Sequence, residues 1–146
     1  MRVYRIASAA HATDLSGTGG RLYNGRWHHA GNPVVYTAEH PALAAWELLV
    51  HTGVPVTGAP LNHHLIEIGL PQESVTAMEE IPSLPHDPRA VGSAWLRACS
   101  TLLLRVPSVV VPLSRNILIN PRHPEARELR AEDRGIFVFD QRVRSA

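Results

Sequence analysis

An α+β fold built from a single domain is predicted by three observations. A chain of 146 residues fits one hydrophobic core. Several short apolar runs have strand character, while only two or three stretches have helical spacing. These elements follow one another in irregular order, which disfavours a regular βαβ sheet. Twelve prolines and ten glycines add the turns that many short elements require. With 45% hydrophobic and 18% charged residues, the composition is that of a soluble globular protein, not a disordered one.

Taken in order, Arg2 to Ala7 alternates, with Val3, Arg5 and Ala7 facing one way and Tyr4 and Ile6 the other, as in a strand. Ser8 to Gly25 is polar and is expected to be a surface loop or a lid. Pro33 to Thr37 is a short buried strand. A helix is expected to open at Glu39-His40-Pro41, since proline is tolerated in a first turn. Its apolar stripe is Leu43, Trp46 and Val50, widened by Ala42, Ala45 and Leu49. Glu47 either projects from that same face, where a carboxylate needs a partner and His51 is one candidate, or sits at the margin of the stripe and faces water. Gly53 to Pro60 is turn-rich. His64 to Leu70 is a strand with His64, Ile66, Ile68 and Leu70 on one face. Residues 72–90 suggest a surface connection, Ser93 to Thr101 a short helix, and Leu102 to Pro112 a strand interrupted at Pro107. Asn116 to Asn120 is another strand, followed by the turn Pro121-Arg122-His123-Pro124. Glu125 to Arg134 is expected to form a solvated helix, Ile136 to Phe139 a last strand, and Arg142 and Arg144 an exposed tail.

A net charge of +1 argues against a broad nucleic-acid-binding surface. The lone Cys99 excludes an internal disulfide framework, fits a reducing compartment, and lies in an apolar run that predicts a buried, inert thiol. No run approaches the ~20 apolar residues of a membrane span. The amino-terminal MRVYRIASAAHA lacks the apolar centre of a secretion signal, so the expected location is the cytoplasm.

Among possible chemical sites, a metal centre has little support. The nine histidines include the adjacent pairs His28-His29 and His63-His64 but no H-x3-H or H-E-x-x-H spacing. There is no G-x-S-x-G nucleophile elbow. The glycines of DLSGTGG match neither the G-x-G-x-x-G fingerprint, since Leu22 stands where the third glycine belongs, nor a P-loop. The stretch from Arg21 to His51 is richer. Arg26, at a tight turn beside Trp27, offers the planar fork that grips phosphates. Tyr36 offers an aromatic face for a flat heterocycle, and Glu47 a carboxylate for sugar hydroxyls or a developing positive charge. Arg5 is an unusual charge in a first strand: an edge charge facing water, or an anion-binding group lining a cleft.

The order of short motifs resembles one known family. It runs from a YRI strand through G-R-W, V-V-Y-T-A and an L-A-x-x-E helix to L-R-V-P-S and N-x-L-I-N-P-x-H, covering Tyr4 to about Phe139. In these features the chain is similar to the RES-domain family, toxins of bacterial toxin–antitoxin pairs named for an arginine, a glutamate and a serine. Those three match Arg26, Glu47 and Ser108, and the family's tyrosine matches Tyr36. The family often carries asparagine after G-R-W, where this chain has His28.

The resemblance implies an ADP-ribosyltransferase-like fold of short twisted strands with a few helices. It implies that NAD is the substrate and that no prosthetic group is needed. NAD would be consumed by hydrolysis, phosphorolysis or ADP-ribosyl transfer. It also implies a partner antitoxin with a helix-turn-helix DNA-binding domain that blocks the active site, in a dimer or larger toxin–antitoxin assembly. On this reading Arg26, Tyr36, Glu47 and Ser108 are catalytic, while Arg5, Trp27 and Asn116 join Arg26, Tyr36 and Ser108 in binding substrate. Two other classes stay open: a non-catalytic nucleotide-binding module, and an RNA-cleaving or metal-dependent toxin.

Overall fold

The computed structural model describes residues 1–52, 62–140 and 142–143. The expected turns between Gly53 and Pro60, and Arg144, lie outside the described residues. Strands β1 (Arg2–Ser8), β2 (Val35–Ala38), β3 (His63–Gly69), β4 (Glu79–Glu80), β5 (Leu103–Pro107), β6 (Arg115–Ile119) and β7 (Arg130–Phe137) form one seven-stranded sheet. Their spatial order is β4-β5-β6-β2-β1-β3-β7. Among the described residues the helices are α1 (Thr18–Leu22), α2 (Pro41–Thr52), α3 (Gln72–Thr76) and α4 (Pro88–Ala98), with a 3-10 turn at Pro124–Glu128. This mixed arrangement is the predicted α+β class, and none of the described helices is long and apolar enough to cross a membrane.

Register divides the side chains between two faces. Tyr4 lies opposite Ala38 and Glu67, Ala38 opposite Asn116, and Asn116 opposite Val106. Directly opposed residues share a face and alternate residues along a strand change face. One face therefore presents the row Val106, Asn116, Ala38, Tyr4 and Glu67, with Leu104, Leu118 and Tyr36 in the next row. The other face presents Val3, Val35, Ile66, Ile68, Leu103, Ile117 and Ile119, which form the largest core with Leu70, Leu102 and Leu129. On the first face α4 contributes Trp95 and Leu96 to a second core. There too, Leu43 and Ala44 of α2 pack against Ala38, Tyr4 and Ile6.

The helix expected from Pro41 begins there, but its inward face is rotated. Leu43 and Ala44 are buried, whereas Trp46 is 55% and Val50 62% exposed. The small Ala44 lets the helix approach the sheet, and Glu47, three residues on, shares that inward face. Helix α4 starts at Pro88, earlier than the expected Ser93, because Asp87 caps it by accepting the Ala90 N–H at 3.1 Å. The connection over residues 72–90 also contains α3 and the two-residue β4, which pairs parallel to β5. The loop expected at Ser8 to Gly25 contains α1. Cys99 is only half-buried and ends α4 in the left-handed conformation, at φ 52°.

The solvated helix expected at Glu125 to Arg134 is a 3-10 turn followed by β7. Helical patterning fails here because β7 is an edge strand joined to β3 through backbone pairing, so it needs no apolar alternation. Its charges are matched: across the ladder Arg134 pairs with Glu67 and Asp133 with His64, and within the strand Arg134 also pairs with Glu132.

Candidate active site

The loop between α1 and β2 carries Arg26. The Gly25 N–H donates to the His28 carbonyl at 3.0 Å, closing a tight turn. A Cβ at Gly25 would lie 2.5 Å from the Tyr36 hydroxyl and 2.7 Å from His28 Nδ1, so only glycine lets the loop close over this pair. Helix α4 clamps the same loop at three points. Arg89 Nε donates to the Gly25 carbonyl at 2.8 Å, and the His29 N–H donates to Ser93 Oγ at 3.0 Å. At Gly92 a Cβ would fall 1.8 Å from the Trp27 carbonyl oxygen.

Tyr36 anchors the loop from below. His28 Nε2 lies 2.8 Å from the Tyr23 carbonyl, which can only accept, so Nε2 carries the proton. His28 Nδ1 then accepts the Tyr36 O–H at 2.7 Å, and the Tyr36 oxygen accepts the Trp27 N–H at 3.1 Å. Burial pushes the Tyr36 phenol up to about 12, against the opposing pull of the Trp27 N–H and of the Arg89 and Arg26 charges. Burial likewise lowers the His28 pKa, which keeps the ring neutral and its tautomer fixed. Arg26 is exposed, and its guanidinium makes no hydrogen bond among the described residues.

Glu47 forms the second half of the site. It is half-buried, and its Oε1 accepts the Ser108 O–H at 3.0 Å. Ser108 Oγ in turn accepts the Val110 and Val111 N–H groups, each at 3.1 Å. The hydroxyl thus closes the turn after Pro107 and fixes the carboxylate. The sequence-based partner, His51, is exposed, and Ser108 takes its place. Glu47 Oε2 makes no hydrogen bond among the described residues.

Tyr36, Asn116 and the Glu47–Ser108 pair lie on one side of the sheet. Asn116, opposite Ala38, donates from Nδ2 to the Thr37 carbonyl at 3.2 Å and lies one row from Tyr36 towards Ser108. Leu104, in the Tyr36 row, precedes Ser108 by four residues, about 13 Å at the rise of a strand.

Two expected binding residues are elsewhere. Trp27 is 3% exposed and packs in the core with Trp95, Leu104 and Leu118, so its ring supports the loop and offers no surface to a ligand. Arg5 is on the opposite face of the sheet from Tyr36. It donates to the Asp14 and His11 carbonyls at 3.1 and 3.5 Å, holding the loop after β1. Its charge fell into neither sequence-based category because its acceptors are backbone groups of a loop. Arg89 and Ser93 were missed for a simple reason: they are distant in sequence and meet the G-R-W turn only through the packing of α4. The signals for His28 were its adjacency to that turn and its place where the family often carries asparagine.

The RES domain model matches residues 2–140, and the chain belongs to that family. It is 40% identical to Toxin Res of Pseudomonas putida over 152 residues, covering 98% of this chain and 99% of that protein. It is 38% identical to the Prs ADP-ribosylating toxin of a Sphingobium species over 154 residues, covering 96% and 94%. Its fold is similar to a chain in the crystal structure of the M. tuberculosis MbcT-MbcA toxin-antitoxin complex. There the TM-score is 0.63 at 19% identity, over 90% of this chain and 82% of that one.

Two outcomes test this geometry. Gly92→Ala forces α4 away from the Trp27 carbonyl and is expected to cost about 1–3 kcal/mol of stability, measured by urea unfolding. For His28, both folded and unfolded chains keep the ring neutral well above its ordinary pKa of 6.5. Below that value the unfolded chain binds a proton that the folded chain refuses, so stability falls as the pH drops. Thermal midpoints from about pH 7 to about pH 5 should therefore fall less steeply in His28→Asn than in the wild type. Equal slopes would remove His28 as the responsible group.

Proposed function

We propose that this chain is the toxin of a toxin–antitoxin pair and that it cleaves the nicotinamide–ribose bond of NAD. The observation that carries this reading is Glu47: a half-buried carboxylate fixed through Oε1 by Ser108, with Oε2 unengaged, on the sheet face that also bears Tyr36. A strip of about 13 Å from the Tyr36 row to Ser108 suits an extended phosphorylated ligand better than a single ring.

Each side chain has a defined part. Arg26, uncommitted to the protein, takes the pyrophosphate with its fork. Tyr36 contributes its ring face. With its hydroxyl saturated and its pKa at about 12, it does not exchange protons near neutral pH. Asn116 lines the strip between Tyr36 and Glu47. Cleavage passes through an oxocarbenium-like state of the kind met in glycoside hydrolysis. Glu47 stabilises the growing positive charge and holds the ribose hydroxyls through Oε2. Nicotinamide leaves as a neutral base from a cationic precursor, so no acid is needed to protonate it and a single carboxylate suffices. Ser108 is a positioning residue for Glu47.

Water, phosphate or a protein side chain then accepts the ADP-ribosyl group. The name of the Sphingobium relative supports ADP-ribosyl transfer, and the M. tuberculosis complex supports an antitoxin as binding partner.

The decisive assay follows nicotinamide release from NAD by the purified chain. Glu47→Gln is expected to lower turnover on the order of 10²–10³-fold, the usual loss on removing a preorganised charge. Turnover unchanged in the variant would strip Glu47 of its role. A thermal shift with NAD but no nicotinamide, in the presence of lysate as acceptor, would make the chain a nucleotide-binding module instead.

A further inference from the structure

A cavity of about 400 Å3 lies away from the strip of Tyr36 and Glu47, where α1 meets the turn after β6. Arg21, Arg122 and Arg127 line it, together with Leu15, Pro33 and Pro121. Leu15 also packs against the core on the far face of the sheet, which separates this cavity from the candidate active site.

The charge pattern here is unusual for the molecule. Every cation in the chain is an arginine, since it contains no lysine. Most of these arginines have an acceptor within the protein. Arg2 and Arg134 hold Glu67, Arg105 holds Glu39, Arg115 pairs with Glu80, and Arg142 holds Asp140. Arg5, Arg89 and Arg130 donate to backbone carbonyls. The side chains of Arg21, Arg122 and Arg127 make no such bond among the described residues, and no carboxylate lines the cavity they share. The neighbouring Asp14 does not line the cavity, and its Oδ1 accepts the Ser16 N–H at 2.9 Å.

We infer that this cavity is a second ligand site, for a small phosphorylated molecule. Guanidinium forks match phosphate oxygens, and three of them around one concavity leave donors for more than one oxygen. The volume falls within the range of small-molecule sites, roughly 300–1,000 Å3. Leu15, Pro33 and Pro121 supply apolar walls for a sugar or ring beside the phosphate. A nucleic-acid strand would need a continuous basic track, which three arginines around one concavity do not provide. The inference does not rest on NAD cleavage.

The test is titration of the full chain with inorganic phosphate, pyrophosphate and AMP, followed by amide NMR and calorimetry. Saturable binding is expected, with shifts at Ser16, Arg21, Arg122 and Arg127. Affinity should fall at least about tenfold in Arg122→Gln/Arg127→Gln, which removes two charge-assisted donors. The same binding should persist in Arg26→Gln. Tighter binding of AMP than of pyrophosphate identifies a nucleotide as the ligand class, and the reverse order identifies the free phosphate group. Because both side chains are exposed and unbonded, the double variant should keep its thermal midpoint. Binding abolished by Arg26→Gln and retained in the double variant would move the anion to the active-site face and overturn the inference. So would the absence of saturable binding for all three probes.

Discussion

Strand β2 is only four residues long, yet it has a neighbour on each edge and a core on each face. Val35 enters the large core with Val3, Ile117 and Ile119, while Tyr36 and Ala38 face the helices. A slip of one residue would exchange the two sets. It would bury the Tyr36 ring among the branched side chains of the far face and leave α2 without Ala38 as its contact. The strand also sets the direction of α2. Two residues separate the end of β2 from the start of that helix, and so short a turn fixes which part of the helix lies over the sheet. Glu47 reaches Ser108 because Leu43 and Ala44 have already been seated against Ala38.

Much of this was legible in the amino-acid sequence, for identifiable reasons. The central strands carry β-branched runs with sharp ends, as in PVVYT and HLIEIGL, and proline marks where α2 begins and where β5 stops. Tyr36 and Glu47 lie on those well-marked elements and could be proposed from their own chemistry, whereas Ser108 and Asn116 rested on the family resemblance. Properties that depend on which surfaces meet were not legible. The rotation of α2 that exposes Trp46 follows from the small size of Ala44 beneath it, which apolar spacing does not encode. Strand β7 looked helical because its stability comes from a backbone ladder and matched charges. Arg5 and Trp27 carry suggestive chemistry, but one is spent on loop carbonyls and the other on the core.

The candidate site separates hydrogen bonding from charge. The Tyr36 hydroxyl and the Ser108 hydroxyl are both saturated by the protein, and each serves to hold a neighbour. The groups left to meet a ligand are the Arg26 guanidinium and one oxygen of Glu47. Structural hydrogen bonding and free binding capacity are thus assigned to different side chains, an arrangement that fixes the site without using up its capacity to bind. Helix α4 adds to this from outside the site, through Arg89, Gly92 and Ser93, by holding the loop that presents Arg26.

The three tryptophans report on separate parts of this architecture. Trp27 and Trp95 are 3% and 6% exposed, within one core, whereas Trp46 is 55% exposed on the outer side of α2. A water-soluble fluorescence quencher therefore reaches Trp46 and leaves the other two protected. Trp46 is adjacent to Glu47 in the chain, so the quenchable part of the emission belongs to the helix that carries the carboxylate. The protein has an intrinsic optical label on that helix, read against an internal reference in its own core.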